Sequence, residues 1–478
     1  MSQTVLDTTG SLANLLLART DERPDHPFLW VEDDGPWTLT DLASSAASVA
    51  ADLEVGPGDR VLLRLGNDER FLPALAAVWL RGASAVAMHP AAPAAEVDRV
   101  VRTMGVADTI ADVAVHRGAG PVDISELQPN IDGGDEALVL LTSGSTGNPK
   151  GVALSHGAVW ASLRATVSAF RRDTRPTPMP TERKPPNLIA NPLSHTAGVV
   201  RMLFALYVGR SVVLLRKFDA RAAKAAIDTH GIDNLTINPT MLQMLLHDLP
   251  PDADLGPVRY ASSGTAPLAP ALREEFEARF GIPVLQAYGQ TEAFGGIAIE
   301  SVKDVLAGRR RPGSVGKPLP GVEVRISEGE IVVRTPASLL GYLGEEAASP
   351  VDTDGWLHTG DLGHLDDDGF LYVTGRRKNV IICGGFNVIP EELEVALSDD
   401  SEVREAVVVG LADDRLGEIP VALVEGDGTA EAVLERAKAR LAPYKRPRRL
   451  FVVDALPRVA NGKVDRVAAR ALAEKLRS

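Results

Sequence analysis

Short apolar runs recur through the first three quarters of the chain, spaced to leave room for a helix between neighbours. They are Val61-Leu-Leu63, Ala85-Val-Ala-Met88, Ala137-Leu-Val-Leu-Leu141, Leu188-Ile-Ala190, Ser211-Val-Val-Leu-Leu215 and Leu235-Thr-Ile237. Several are separated by Ala-, Leu- and Arg-rich stretches of helical period, such as Arg221-Ala-Ala-Lys-Ala-Ala-Ile227. Strands that are apolar throughout are covered on both faces, so the alternation predicts an α/β architecture of mostly parallel sheets. Ligands of such sheets gather at the carboxyl ends of the strands.

From about Gly313 the texture changes to shorter strands separated by Gly, Pro and Asp turns, as in Gly329-Glu-Ile-Val-Val-Arg334 and Asp366-Asp-Asp-Gly-Phe-Leu-Tyr-Val373. This predicts a β-rich subdomain that closes the large unit. A further unit begins near Arg376-Arg-Lys-Asn379, followed by a hairpin-like Gly384-Gly385 turn and a helix. That helix has Pro390 at its start, Glu391 and Glu392 in its first turn, and Leu393, Ala396 and Leu397 on one face. The division expected is a large N-terminal domain, residues 1–377, and a small α+β C-terminal domain, residues 378–478. The Pro-rich, charged stretch Arg171 to Pro186 fits an exposed connection.

At 478 residues the chain exceeds what one core usually supports, and 45% hydrophobic content is ample for two. A net charge of −14 argues against nucleic acid as a bulk electrostatic partner. The basic clusters Arg309-Arg310-Arg311 and Arg446-Pro-Arg-Arg449 read as solvated surface before they read as anion sites. A single cysteine, Cys383, excludes an internal disulfide and reads as a small packed residue. No uninterrupted apolar run approaches the roughly 20 residues that span a bilayer, so no membrane span is expected and the cytoplasm is the default location.

The stretch Leu141-Thr-Ser-Gly-Ser-Thr-Gly-Asn-Pro-Lys-Gly151 sets hydroxyls and a lysine among glycines that let backbone N–H groups approach an anion. It is not a Walker A loop, which needs four residues between its glycines and Lys-Ser/Thr after the second. Taken alone it is a phosphate loop or only a turn. Six further motifs follow in order: Ser263-Gly-Thr-Ala-Pro267, Tyr288-Gly-Gln-Thr-Glu292, Thr359-Gly-Asp361, Gly375-Arg-Arg-Lys378, Gly384-Gly-Phe-Asn-Val-Ile-Pro-Glu-Glu392 and Asn461-Gly-Lys463. Together with the loop they resemble the adenylate-forming superfamily of acyl- and aryl-CoA synthetases, nonribosomal peptide synthetase adenylation domains and beetle luciferases.

The resemblance implies ATP and Mg²⁺ as cofactors and assigns roles that the residue types can perform. Thr142, Ser143, Gly144, Ser145, Thr146, Gly147 and Lys150 form the phosphate loop. Gly264, Thr265 and Ala266 meet adenine, Tyr288 supplies an aromatic face, and Gly289 and Gln290 belong to the same nucleotide motif. Thr291 donates to the α-phosphate, and Glu292 is a hard carboxylate for Mg²⁺. Asp361 and Arg376 hold the ribose. Lys463 bridges the acid and the α-phosphate as charge develops. Lys378 is the hinge of a mobile C-terminal domain, and Gly384 and Gly385 line a thiol tunnel in the second step.

The acid is expected among His195, Ala197, Gly198, Arg201, Ser263 and Gly264, with His195 gating the acid and thiol sites. The run His195 to Met202 contains no acidic residue, which disfavours an amino acid. An Arg201 facing the pocket would meet an anionic group, such as a second carboxylate; otherwise its stem packs and its head reaches solvent. The implied reaction turns a small carboxylic acid and ATP into an acyl-adenylate and pyrophosphate, then transfers the acyl group to a thiol, CoA first. The alternative is a stand-alone adenylation enzyme that loads a carrier protein or an amine.

Overall fold

A computed structural model describes residues 10–32, 34–118, 131–143, 149–173, 184–344, 348–459 and 463–477. Each apolar run lies in a strand, and the strands collect into three sheets with parallel centres and antiparallel edges. In the first, Val106–Ile110, Arg60–Leu63, Ser84–Ala87 and Glu136–Ser143 are parallel, and Pro149–Ser155 and Gly341–Leu343 extend it antiparallel. In the second, Pro27–Val31, Val212–Leu214 and Asn187–Ile189 are parallel, with Trp37–Thr38 antiparallel at the edge. In the third, Asn234–Ile237, Tyr260–Ser263 and Val284–Gln290 are parallel, and Gly295–Ile299 and Lys317–Pro318 follow antiparallel.

The helices between strands form for local reasons. Ala220–His230 starts where the Asp219 carboxylate accepts the Ala222 N–H and stops at Gly231, whose φ of 67° suits a residue without Cβ. Its buried side chains, Ala220, Ala223, Ala226 and Ile227, fall at helical spacing and pack into one core cluster with the third sheet. The β-rich part is the four-stranded antiparallel sheet Glu323–Ser327, Glu330–Arg334, Leu357–Leu365 and Leu371–Arg376.

Residues beyond it have a core of their own, from Ile381 to Ala473, with Cys383 buried inside. The expected helix there is Pro390–Ser398, with proline in its first turn and Leu393 and Leu397 buried; Ala396 is only partly so. Among the described residues no helix is long and apolar enough to cross a membrane. Two expectations need correction. Arg171 to Asp173 are not connection but the last turn of the helix His156–Asp173, which two arginines, good helix formers, continue; residues 174–183 lie outside the described residues. Thr142, Ser143, Lys150 and Gly151 are not loop but strand: Thr142 pairs with Lys150 and Ser143 with Pro149.

Candidate active site

The described ends of the phosphate stretch are thus two antiparallel strand legs, Thr142 opposite Lys150 and Ser143 opposite Pro149. Gly144, Ser145, Thr146 and Gly147 lie outside the described residues, as does the side chain of Ser143. Across these legs the Thr142 hydroxyl is directed to the Lys150 carbonyl at 3.4 Å. Beside them the strand Val284–Gln290 ends in a tight turn, Thr291–Ala293, and returns as Gly295–Ile299. A Cβ at Gly289 would stand 1.7 Å from the Gly295 carbonyl oxygen, so this return admits only glycine there. The Thr291 hydroxyl meets the Thr196 hydroxyl at 2.7 Å, which joins the turn to the first residue of the helix Thr196–Val208. Glu292 accepts a hydrogen bond from the Tyr342 hydroxyl at 2.9 Å.

The two residues expected at the ribose, Asp361 and Arg376, are joined to each other and to Tyr288. Asp361 is buried, accepts from the Tyr288 hydroxyl at 2.7 Å and from Arg376 Nε at 2.6 Å, and takes its backbone direction from the Thr359 hydroxyl. Burial first and the Asp361 charge second push the Tyr288 phenol up, so it stays a donor. Burial opposes the charge on Arg376, but Asp361 outweighs it and the guanidinium is held above its ordinary range. Gly264, Thr265 and Ala266 follow the carboxyl end of Tyr260–Ser263, and Thr265 holds φ at +70°, an unusual conformation for a β-branched residue.

Lys463 reaches this site from the separate C-terminal core. Lys463 is exposed as a residue, but desolvation of its ammonium and then the charge of Arg376 pull it down while Asp361 supports it, so it lies within electrostatic range of that pair. His195 is brought down to about 4 by burial, then by Lys463 and His89, and is neutral. The lysine sits at the end of a narrow hairpin: Arg458 bridges Val464, and the Val459 N–H donates to the Lys463 carbonyl at 2.9 Å. An arginine anchors each side of it. Arg458 pairs with Glu405, and Arg466 pairs with Glu394 at 2.7 Å and Glu391 at 3.4 Å. Lys378 follows the ribose strand directly, and burial and Arg376 lower its pKa. Gly384 and Gly385, both at positive φ, make the two-residue turn between Ile381–Cys383 and Phe386–Val388 and are exposed.

Four of the residues expected around the acid, His195, Ala197, Gly198 and Arg201, lie at the cap and on the first two turns of the helix Thr196–Val208, whereas Ser263 and Gly264 lie at the end of the strand Tyr260–Ser263. His195 caps that helix, and Gly198 must lack a side chain because a Cβ would stand 2.2 Å from the Pro192 carbonyl oxygen. Ala197 and Arg201 continue the helix. Arg201 is partly buried, has no hydrogen-bond or ion-pair partner among the described residues, and is pulled down to about 10 by burial. Among the described residues, His195 Nε2, Ser263 Oγ and Gln290 Nε2 are buried without a hydrogen-bond partner, an expensive state. Sequence reasoning missed Asn67, whose amide clamps the Asn191–Leu193 segment through the Asn191 carbonyl and the Leu193 N–H. It also missed Thr196 and Tyr342. The basic run at Arg309 is paired rather than free: Arg309 with Asp304, Arg310 with Glu277 and Glu300, Arg311 with Asp368.

Among the described residues no group of three His, Cys, Asp or Glu side chains could hold a metal by itself. A single carboxylate beside a phosphate loop suits Mg²⁺, which keeps waters and substrate phosphates as most of its ligands. The linked Tyr288, Asp361 and Arg376, the strand legs at Thr142 and Lys150, and Lys463 carry the motifs of the adenylate-forming class, in which a carboxylic acid is activated with ATP. Residues 16–343 match the AMP-binding enzyme family and residues 392–463 match the AMP-binding enzyme C-terminal domain, and the chain belongs to this family.

Among its relatives is a 2-succinylbenzoate–CoA ligase of Bacillus cereus, 32% identical over 98% of this chain and 100% of that protein. A 3-[(3aS,4S,7aS)-7a-methyl-1,5-dioxo-octahydro-1H-inden-4-yl]propanoyl:CoA ligase of Mycobacterium tuberculosis is 33% identical over 94% of this chain and 96% of its own. The o-succinylbenzoate CoA synthetase of Bacillus subtilis, solved with its acyl-adenylate intermediate, superposes with a TM-score of 0.81 at 29% identity, covering 96% of this chain and 98% of that one. The same enzyme solved with ATP and magnesium ion gives 0.80 at 30%, over 95% and 98%.

Proposed function

We propose that this enzyme is an AMP-forming acid–CoA ligase whose acid carries a second, remote carboxylate. The observation that carries the acid class is Arg201, a partly buried arginine on the helix Thr196–Val208 with no anionic partner among the described residues. A buried, unpaired cation is costly, and an incoming carboxylate offsets that cost. The relatives named as succinylbenzoate ligases support the same class, and their names support CoA as the acceptor.

In the first step the near carboxylate of the acid attacks the α-phosphate of ATP, and pyrophosphate leaves. Lys463 and Thr291 stabilise the added negative charge, while Asp361, Tyr288 and Arg376 fix the ribose. Glu292 would hold the Mg²⁺ that accompanies ATP, which would supply positive charge to offset that of the phosphates. His195, lowered to about 4, adds no positive charge of its own to the pocket at neutral pH. In the second step the thiol attacks the acyl carbonyl and AMP leaves. We place the domain boundary at Lys378: rotation there withdraws Lys463 and brings Gly384 and Gly385 to the pocket. The separate core after Ile381 and the exposed glycine turn support that movement.

The test is pyrophosphate release over matched pairs of dicarboxylic acids and their half-esters, with aromatic, aliphatic and amino acids alongside. Each is repeated with CoA, with a carrier protein or with an amine as acceptor. Diacids turned over with CoA alone are expected. Equal rates for diacid and half-ester overturn the acid class, and turnover only with a carrier protein or an amine overturns the acceptor.

A further inference from the structure

Tyr342 lies outside every motif singled out in the sequence, yet it touches two charged groups in the phosphate half of the site. Its strand, Gly341–Leu343, pairs antiparallel with Pro149–Ser155, and Tyr342 stands opposite Val152. That register places its ring beneath the Lys150 ammonium, 5.1 Å from the ring centroid. Its hydroxyl donates to Glu292 Oε1 at 2.9 Å, and the Leu339 N–H just before the strand donates to the Glu292 carbonyl at 2.8 Å. One short edge strand therefore fixes the backbone and one oxygen of Glu292 and also seats the lysine. Among the described residues Glu292 Oε2 has no hydrogen-bond partner, which leaves it for a cation.

We propose that Tyr342 is the positioning residue for the metal–phosphate half of the site: its hydroxyl aims Glu292 at the Mg²⁺ carried by ATP, and its ring seats Lys150 against the phosphates. The proposal rests on the reading of Glu292 as the Mg²⁺ ligand. A carboxylate held through one oxygen presents the other in a fixed direction. Released, it rotates, and loss of such an outer contact typically weakens metal binding by about 10- to 100-fold. The ring is a separate contribution, since a cation over an aromatic face is worth about two- to fivefold in affinity.

Calorimetric ATP binding to the full chain, titrated with Mg²⁺ in the absence of acid, separates these effects. Tyr342→Phe keeps the ring and removes one oxygen from a half-buried side chain, so the fold is retained. It should raise the Mg²⁺ concentration for half-maximal tightening about tenfold and leave ATP binding in EDTA unchanged. Tyr342→Leu should show the same metal shift and also weaken metal-free ATP binding about two- to fivefold. Glu292→Gln should shift the Mg²⁺ curve at least as far as Tyr342→Phe. A shift with Glu292→Gln but none with Tyr342→Phe overturns the role of Tyr342. No shift with Glu292→Gln overturns the metal reading of Glu292 itself. An equal loss with and without Mg²⁺ in Tyr342→Phe means general disorder of the site and also overturns the proposal.

Discussion

Replacing Arg201 with methionine should make the empty enzyme more stable and worse at its own reaction. Burial pulls this guanidinium down from its ordinary range to about 10, with no compensating carboxylate among the described residues. Each pKa unit corresponds to about 1.4 kcal/mol, so the charged side chain costs the folded state up to about 3 kcal/mol, a ceiling because part of it still meets water. Methionine fills similar space without the charge and recovers much of that. With substrate bound the balance reverses, because truncating one partner of a buried charge pair costs about 2–5 kcal/mol. In kcat/KM for a diacid this is a loss from about 30-fold to a few thousand-fold, while the half-ester is little affected. Urea denaturation at pH 7 reads the stability change, and pyrophosphate release with diacid and half-ester reads the selectivity. A less stable R201M protein, or one with unchanged preference for the diacid, would refute the reasoning.

Lys463→Ala should lower adenylation at least about a hundredfold, while thioester formation from preformed acyl-adenylate changes much less; unchanged pyrophosphate exchange would remove Lys463 from the chemistry. Lys378→Pro should impair thioester formation more than adenylation, because a fixed φ hinders rotation of that segment; equal loss of both half-reactions would count against a hinge there. His156 is buried, accepts the Leu12 N–H through Nδ1 at 3.0 Å, and is brought down to about 4 by burial. The unfolded chain takes up this proton near pH 6.5 and the folded chain only near 4, so stability falls as pH drops through that window, by up to about 3 kcal/mol. His156→Asn keeps an acceptor for Leu12 and should flatten this part of the pH–stability curve measured in urea; an unaltered slope would exclude His156 as a source.

The parts legible in the sequence were those encoded within a short span. Apolar runs gave strands because burial on both faces leaves no polar positions, and Pro390 with Glu391 and Glu392 marked a helix start because first-turn chemistry is local. The nucleotide motifs were readable because Tyr288, Asp361 and Arg376 each sit in a short characteristic stretch. What escaped was pairing between distant segments. Nothing near Tyr342 announces a partner fifty residues earlier in Glu292. Asn67 looks like a surface asparagine until it is seen to accept the Leu193 N–H, 126 residues later. The strand legs at Thr142 and Lys150 read as loop because glycines and hydroxyls lower strand propensity, yet cross-strand pairing overrides that preference.

The mounting of Lys463 has a consequence for control. Arg458 and Arg466 fasten its hairpin to carboxylates of the same small core, so the ammonium has little travel of its own relative to that core. On the domain movement proposed above, the presence of the cation at the phosphate would be decided by how the small unit sits on the large one, and contacts far from the proposed nucleotide site would contribute to that. One of them is the Gln243 side-chain amide, which donates to the Arg404 carbonyl at 3.3 Å across the two units. A staple or wedge at such a seam would act as a remote switch, halting one half-reaction and sparing the other without altering any atom that touches substrate.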